Sequence, residues 1–206
     1  MERTRQRDDI LRIAEELVIN DGVAALTIRS VAHRSGLDED AVLAVFPAVE
    51  LLMTDLLDRE FDAVRRMIID NVERDPLGGL LSRIHRYALI AVYESALTRA
   101  LYLDDPDGLS RIMRSTQGMD HAPRMGLPAA FIERMKEAGM VRDDVDSVAL
   151  SSVLGAIIAG AALVSPEGGI DQSTRGLTML LERSVDAPVT DTSAGKVAYI
   201  DYVLGR

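Results

Sequence analysis

The sequence predicts an all-α protein. Apolar residues recur at helical spacing along nearly the whole chain, and no convincing apolar–polar alternation marks a strand. Turn-forming residues cluster between these periodic segments, at 75–79, 104–108 and 166–169. Side chains that cap helices, notably Thr27 and Asp38, stand where periodic segments begin. With 206 residues, 48% of them hydrophobic, the chain can bury a substantial core and is not disordered. Aromatics are only 4%, so that core is aliphatic.

The first helix is predicted over 5–20, with Ile10, Ile13, Ala14, Leu17 and Val18 forming one stripe. Asp21-Gly22 ends it, Gly22 being suited to a left-handed C-terminal position. Thr27 caps a second helix that turns Ile28, Val31 and Ala32 inward. Ser35-Gly36-Leu37 is a turn, and Asp38 caps a third helix that ends near Phe46-Pro47. A long fourth helix covers 49–73, with Val49, Leu52, Met53, Leu56, Leu57, Val64, Met67 and Ile68 on its inner side. After the break at 75–79 comes a helix over 80–101, then a shorter one from Leu109 and a loop over 117–128. A helix over 129–138 stops at Gly139, and two more cover 148–164 and 171–185. The tail 186–206 is expected to begin as flexible chain and end in a short helix near 197–204.

Several function classes are excluded by composition. The absence of cysteine removes disulfides, thiolate metal sites and cysteine nucleophiles. His33, His85 and His121 are scattered, so no metal and no cofactor are expected. No nucleophile elbow, glycine-rich phosphate loop or paired-histidine motif occurs, and the protein is not expected to be an enzyme. The charged residues 1–9 do not form a signal peptide, which predicts a cytoplasmic protein. The uncharged run 148–164 is rich in Ala, Gly and Ser and lies inside a helical pattern. It predicts a buried helix with a closely packed partner, not a membrane span. A net charge of −10 argues against non-specific nucleic-acid binding by the whole molecule but leaves one small face free to do so.

Residues 10–60 resemble the tetracycline-repressor (TetR) family. The resemblance rests on Ile10-Leu11-x-x-Ala14-x-x-Leu17, on Gly22, on Leu26-Thr27-Ile28-Arg29-x-Val31-Ala32-x-Arg34-Ser35-Gly36-Leu37, and on Phe46-Pro47-x-x-Glu50-x-Leu52. Glu137-Ala138-Gly139-Met140-Val141-Arg142-x-Asp144-Val145-Asp146 is similar to the family's connection into its dimerisation helix. The resemblance implies a three-helix helix-turn-helix head over 1–48, and over 49–206 a long connecting helix with a C-terminal ligand-binding and dimerisation domain. It implies a homodimeric transcriptional regulator, a repressor, that reads a palindromic DNA operator and responds to a small-molecule effector. It implies no membrane partner.

Carried over residue by residue, the resemblance assigns DNA contact to Thr27 through phosphate and to Arg29 through a base edge. His33 and Arg34 lie beside them, Arg5 and Arg7 suit a basic arm on the backbone, and Glu39, Asp40 and Ala41 open the reading helix. The presumed ligand pocket is assigned Tyr87, Tyr93, Arg99, Tyr102 and Met113, together with Met119, His121, Phe131 and Met135. The dimer interface is assigned Leu150, Val153, Leu154, Ile157, Ile158 and Ala161, with Leu177, Leu180 and Leu181 on the next helix.

The third helix departs from the family. Asp38 and Glu39 replace a small polar residue and a lysine, and Leu43 replaces an aromatic. Ala44 and Val45 replace polar or aromatic residues, and Val49 replaces a lysine. Carboxylates at a helix N-terminus do stabilise it, by about 0.3–1 kcal/mol each. They also repel phosphates. Through residue 50, six arginines face ten carboxylates, a balance of −4. A second reading is therefore open: a TetR-fold protein that binds a small molecule or pairs with another regulator and has lost DNA recognition.

Overall fold

Aliphatic residues at three- and four-residue spacing make α1 (Glu2–Asp21) a helix with one dry face, where Ile10, Ile13, Ala14, Leu17 and Val18 are all buried. The computed structural model describes residues 2–101, 127–164 and 170–205. These residues are helices and turns, with a single isolated bridge between Val141 and Asp186. They fall into two compact units, 2–62 with 93–101, and 63–92 with 127–164 and 170–205. The division falls inside the long helix, whereas the functional boundary expected from the sequence is after residue 48. The reason is that the first turns of that helix bury their apolar side chains in the head.

In the first unit, α1 is followed by a short 3-10 turn (Val23–Ala25), then α2 (Ile28–Ser35), α3 (Glu39–Leu43) and α4 (Val49–Arg74). Gly22 has φ 82 and ψ 167, a positive-φ backbone that glycine adopts without strain, although its ψ lies outside the left-handed helical range. Val31, Ala32, Val42 and Phe46 close over the dry face of α1, joined by Leu52, Met53, Leu56, Leu57 and Phe61 from α4. The helix expected over 80–101 is interrupted. α5 (Leu81–Glu94) ends before Ser95, whose backbone is extended and whose side chain caps α6 (Ala96–Arg99) by accepting from the Thr98 amide at 2.9 Å. Serine's side chain competes with the helical backbone in this way. Ser95 and Thr98 both donate their hydroxyls to Glu60, so the break is anchored.

In the second unit, Val64, Ile68 and Val72 of α4 pack with Leu81, Ile84 and Ala91 of α5. The same core takes Phe131, Ile132 and Met135 from α7 (Ala129–Glu137), Leu154 from α8 (Ser147–Val164), Leu181 from α9 (Ile170–Ser184) and Tyr199 from α10 (Ser193–Val203). The Phe131 ring meets that of Tyr199 edge-on at 5.9 Å. No described helix is long and apolar enough to cross a membrane.

The expected flexible start of the tail is not observed. Arg142 donates its amide to the Val185 carbonyl and Ala187 donates to Met140, both within 3.0 Å, so 185–187 runs along 140–142. Thr192 is buried, and its hydroxyl donates to the Pro76 carbonyl at 2.9 Å. Lys196 ends the α4 helix by donating to the carbonyls of Glu73 and Asp75. The break at 75–79 is thus a dock for α10. It works because Gly79 and Gly195 lack side chains: a Cβ on Gly195 would overlap the Gly79 carbonyl oxygen and the Met140 Cγ. Gly195→Ala should therefore destabilise the fold by about 1–3 kcal/mol, the usual range for overpacking. An unchanged thermal midpoint in circular dichroism would show that α10 is not held at this contact.

Candidate functional site

The helix-turn-helix is built from local hydrogen bonds that its sequence dictates. Thr27 Oγ1 accepts from the Ser30 amide at 3.0 Å and Ser30 Oγ accepts from the Thr27 amide at 3.0 Å, a reciprocal cap on α2. Gly36 ends α2 at φ 71, ψ 16, a conformation that glycine adopts without strain, and the Leu37 amide reaches back to Ala32 at 3.1 Å. Asp38 then starts α3, its Oδ1 accepting from the Ala41 amide at 2.7 Å. One of the three carboxylates is therefore a helix cap. Val42 is fully buried beneath α3, while Leu43 and Ala44 face solvent.

Each of four arginines in this region has an acidic partner. Arg29 Nε donates to Glu39 Oε1 at 3.1 Å, and Arg34 to Asp21 at 3.2 Å. Arg12 donates to Glu16 at 2.7 Å. Arg7 pairs with Asp55 and lies 5.3 Å from the Phe46 ring centroid, a cation–π contact that draws the N-terminal end of α1 onto the head. Arg59, on α4, pairs with Glu15 at 2.5 Å. An open, polar cleft of about 540 Å³ is lined by Arg5, Asp9, Ile13, Ser35 and Leu37 among others. Of the residues assigned to DNA contact, Arg5, Arg7, Thr27, Arg29, His33, Arg34, Glu39 and Asp40 are exposed and Ala41 is half-buried. The Thr27 hydroxyl is committed to its cap. Arg29 and Glu39 stand near the starts of the two helices joined by the turn, but their pairing is not encoded by spacing.

Of the residues assigned to a ligand pocket, five lie among the described residues. Tyr102, Met113, Met119 and His121 lie outside the described residues. Tyr93 and Arg99 belong to the first unit, and Tyr87, Phe131 and Met135 to the second. Phe131 and Met135 are fully buried in the aliphatic core. Both stand on the inward stripe of α7 with Ile132, and that period turns them to the interior. Tyr87 donates its hydroxyl to Asp75 Oδ2 at 2.7 Å. Burial and this bond push its pKa up to about 12. Tyr93 Oη is buried without a hydrogen-bond partner among the described residues, and burial raises its pKa.

The residues assigned to the dimer interface separate into two sets. Val153 and Ile157 are exposed, and Leu150 and Leu177 are half-buried. Leu154 and Leu181 are buried in the second unit's own core and do not supply free surface. The helical period explains this, since 154 and 181 project about 100° around the helix from 153 and 180. Ile158 and Ala161 lie on α8, but their side chains fall outside the described residues. Val148 and Leu180, 69% and 59% exposed, add to the apolar surface of these two helices, as does Met179.

No protein-family model matches the chain, and no curated protein matches it. Solved structures do. A γ-butyrolactone receptor (ArpA-like protein) aligns over 100% of both chains at 18% identity, with a TM-score of 0.59. A protein described as a TetR-family transcriptional regulator from Mesorhizobium loti aligns at 15% identity over 89% of this chain and 96% of its own, with a TM-score of 0.60. The ketosteroid transcriptional regulator KstR2 of Mycobacterium tuberculosis aligns at 20% identity over 97% of this chain and 93% of its own, with a TM-score of 0.51. The chain has the fold of the TetR-type transcriptional regulators.

A buried histidine gives this site region a measurable signature. His85 is almost wholly buried on α5, its Nε2 has no partner among the described residues, and burial lowers its pKa to about 4. The folded state stays neutral where the unfolded chain, with an ordinary histidine pKa of about 6.5, takes up a proton. Stability should therefore fall as pH drops from about 6.5 to 4, by on the order of 3 kcal/mol in total. His85→Leu should remove this part of the acid sensitivity, measured as denaturant midpoints at pH 7 and pH 4.5. An equal acid loss in both proteins would show that His85 does not carry it.

Proposed function

We propose that the chain is a ligand-responsive transcriptional regulator of the TetR type that binds palindromic DNA as a homodimer and represses transcription. The observation that carries this reading is the helix-turn-helix, with α2 capped by Thr27 and α3 by Asp38 about the Gly36 turn. Units of this kind lay their second helix in the major groove, and a dimer sets the half-site spacing. Arg29 is the side chain best suited to guanine. Arg5, Arg7 and Arg34 supply cations, and His33 a polar ring, for approach to phosphates. A small-molecule effector is supported by the fold shared with proteins named as a γ-butyrolactone receptor and a ketosteroid regulator. Its pocket belongs to the C-terminal helical domain, and the reading assigns no reaction to the chain.

A second reading is favoured by one observation. Arg7, Arg12, Arg29 and Arg34 are all paired with carboxylates, in a head whose balance is −4. Under this reading the fold persists without DNA recognition. Selection of bound fragments from the source genome at low salt, with the full chain, separates the two. Enrichment of one palindrome is expected for the regulator. A folded dimer that enriches nothing overturns it in favour of the second reading.

Dimerisation rests on α8 and α9, which expose Val148, Val153, Ile157, Met179 and Leu180. A self-complementary apolar surface of this kind is closed by a two-fold related copy. Val153→Glu and Leu180→Glu should each give folded monomers, since an uncompensated carboxylate would be buried in the interface. Leu181→Glu should instead unfold the chain, because Leu181 lies in the core. Light scattering with circular dichroism reads both outcomes. A dimer that survives Val153→Glu and Leu180→Glu together rules out this interface.

A further inference from the structure

The polar groups that α2 and α3 can offer to a base edge are few. α3 is Glu39-Asp40-Ala41-Val42-Leu43, which contains no cation, amide or hydroxyl. On α2, the hydroxyls of Thr27 and Ser30 are used within the cap, and Ser30 also donates to the Ala25 carbonyl at 2.6 Å. Arg34 is held by Asp21. Arg29, whose side chain is 84% exposed, and the exposed His33 are the donors left on α2, and of the two only Arg29 carries the planar fork that matches guanine.

That group is Glu39, 50% exposed. Its carboxylate accepts from Arg29 Nε at 3.1 Å, across the turn. Exposed ion pairs contribute little to stability, so stability is a poor account of this one. Geometry gives a better account. A guanidinium presents five donors in a rigid planar fork. A carboxylate on Nε fixes the plane and leaves the edge formed by the two terminal nitrogens free. That edge supplies two parallel donors, the pattern that guanine O6 and N7 accept.

Resting on the DNA-binding reading above, we infer that Glu39 is a positioning residue for Arg29. The carboxylate holds the guanidinium so that its outer edge meets one guanine. Glu39 thereby raises discrimination at that base pair, while its charge weakens binding to all DNA. An acidic residue at the start of the reading helix is then a specificity device and not an erosion of the interface.

The test uses the full-length protein and the palindrome that genomic selection enriches. Affinities are measured for that site and for versions with each half-site base pair replaced. Arg29→Ala should abolish preference at one guanine. Glu39→Ala should reduce preference at the same guanine by about tenfold, while binding to sites lacking it is unchanged or tighter. Glu39→Gln, which keeps an acceptor, should retain more of the preference than Glu39→Ala. The double variant should discriminate no less than Arg29→Ala alone, since the second change has nothing left to orient. Both side chains are exposed, so thermal midpoints should stay close to that of the parent and a folding defect is separately visible. If Glu39→Ala tightens binding to every sequence alike with the guanine preference intact, Glu39 only repels phosphate and the inference fails while DNA recognition stands. If Glu39→Ala alters a different base pair, Glu39 reads that base itself and the inference again fails. If neither the parent nor any variant enriches a sequence, the DNA-binding reading fails and takes this inference with it.

Discussion

The constraint on which the structure depends is the buried stripe of α4. This helix must supply apolar side chains to two separate cores. Leu52, Met53, Leu56, Leu57 and Phe61 serve the first. Val64, Ile68 and Val72 serve the second. Helical spacing from 52 to 72 keeps these residues on a continuous, slowly rotating strip, and no glycine or proline interrupts it. A single polar substitution on that strip would damage whichever core it served.

Onto this frame the head is assembled by local chemistry. The cap at Thr27, the left-handed Gly36 and the cap at Asp38 are each made within five residues of sequence. They position two short helices whose buried residues, Val31, Ala32 and Val42, are small or branched. Such a unit keeps its shape whatever stands on its outer face. Its outer face can therefore change sign without disturbing the fold, and here carboxylates occupy the start of α3. One of them, Glu39, takes up the Arg29 donor, while Arg34, Arg12 and Arg7 pair with Asp21, Glu16 and Asp55. Charge balance and fold are thus separable in this head.

The C-terminal segment illustrates a different kind of constraint. Its helix docks because two backbone positions without side chains, Gly79 and Gly195, come into contact. Its approach chain is tied by backbone bonds at 140–142 and by the Thr192 hydroxyl on Pro76. Buried polar groups cluster nearby. Asp186 accepts from the Ser82 amide at 3.2 Å, and burial raises its carboxyl pKa. A polar group taken out of water this way is retained only where a partner offsets the desolvation, and the Ser82 amide supplies one.

The sequence by itself determined the helical class, the order of the helices, the turn at Gly36 and both caps beside it. These depend on contacts within one helical turn, so residue type and spacing carry them. It also placed Leu52, Leu56 and Leu57 of α4 in the interior, because period alone assigns a face. Tertiary structure decided the rest. The break at Ser95 depends on Glu60, thirty-five residues away, accepting its hydroxyl. Leu154 and Leu181 read as an interface because periodicity marks an apolar face without saying what covers it; the chain covers these two itself and leaves Val153 and Leu180 bare. The Arg29–Glu39 pair is set by the angle at which α2 and α3 cross, and spacing does not encode that angle. Charge listed along a sequence cannot tell a carboxylate that faces solvent from one that holds an arginine, because the difference is a distance between two helices.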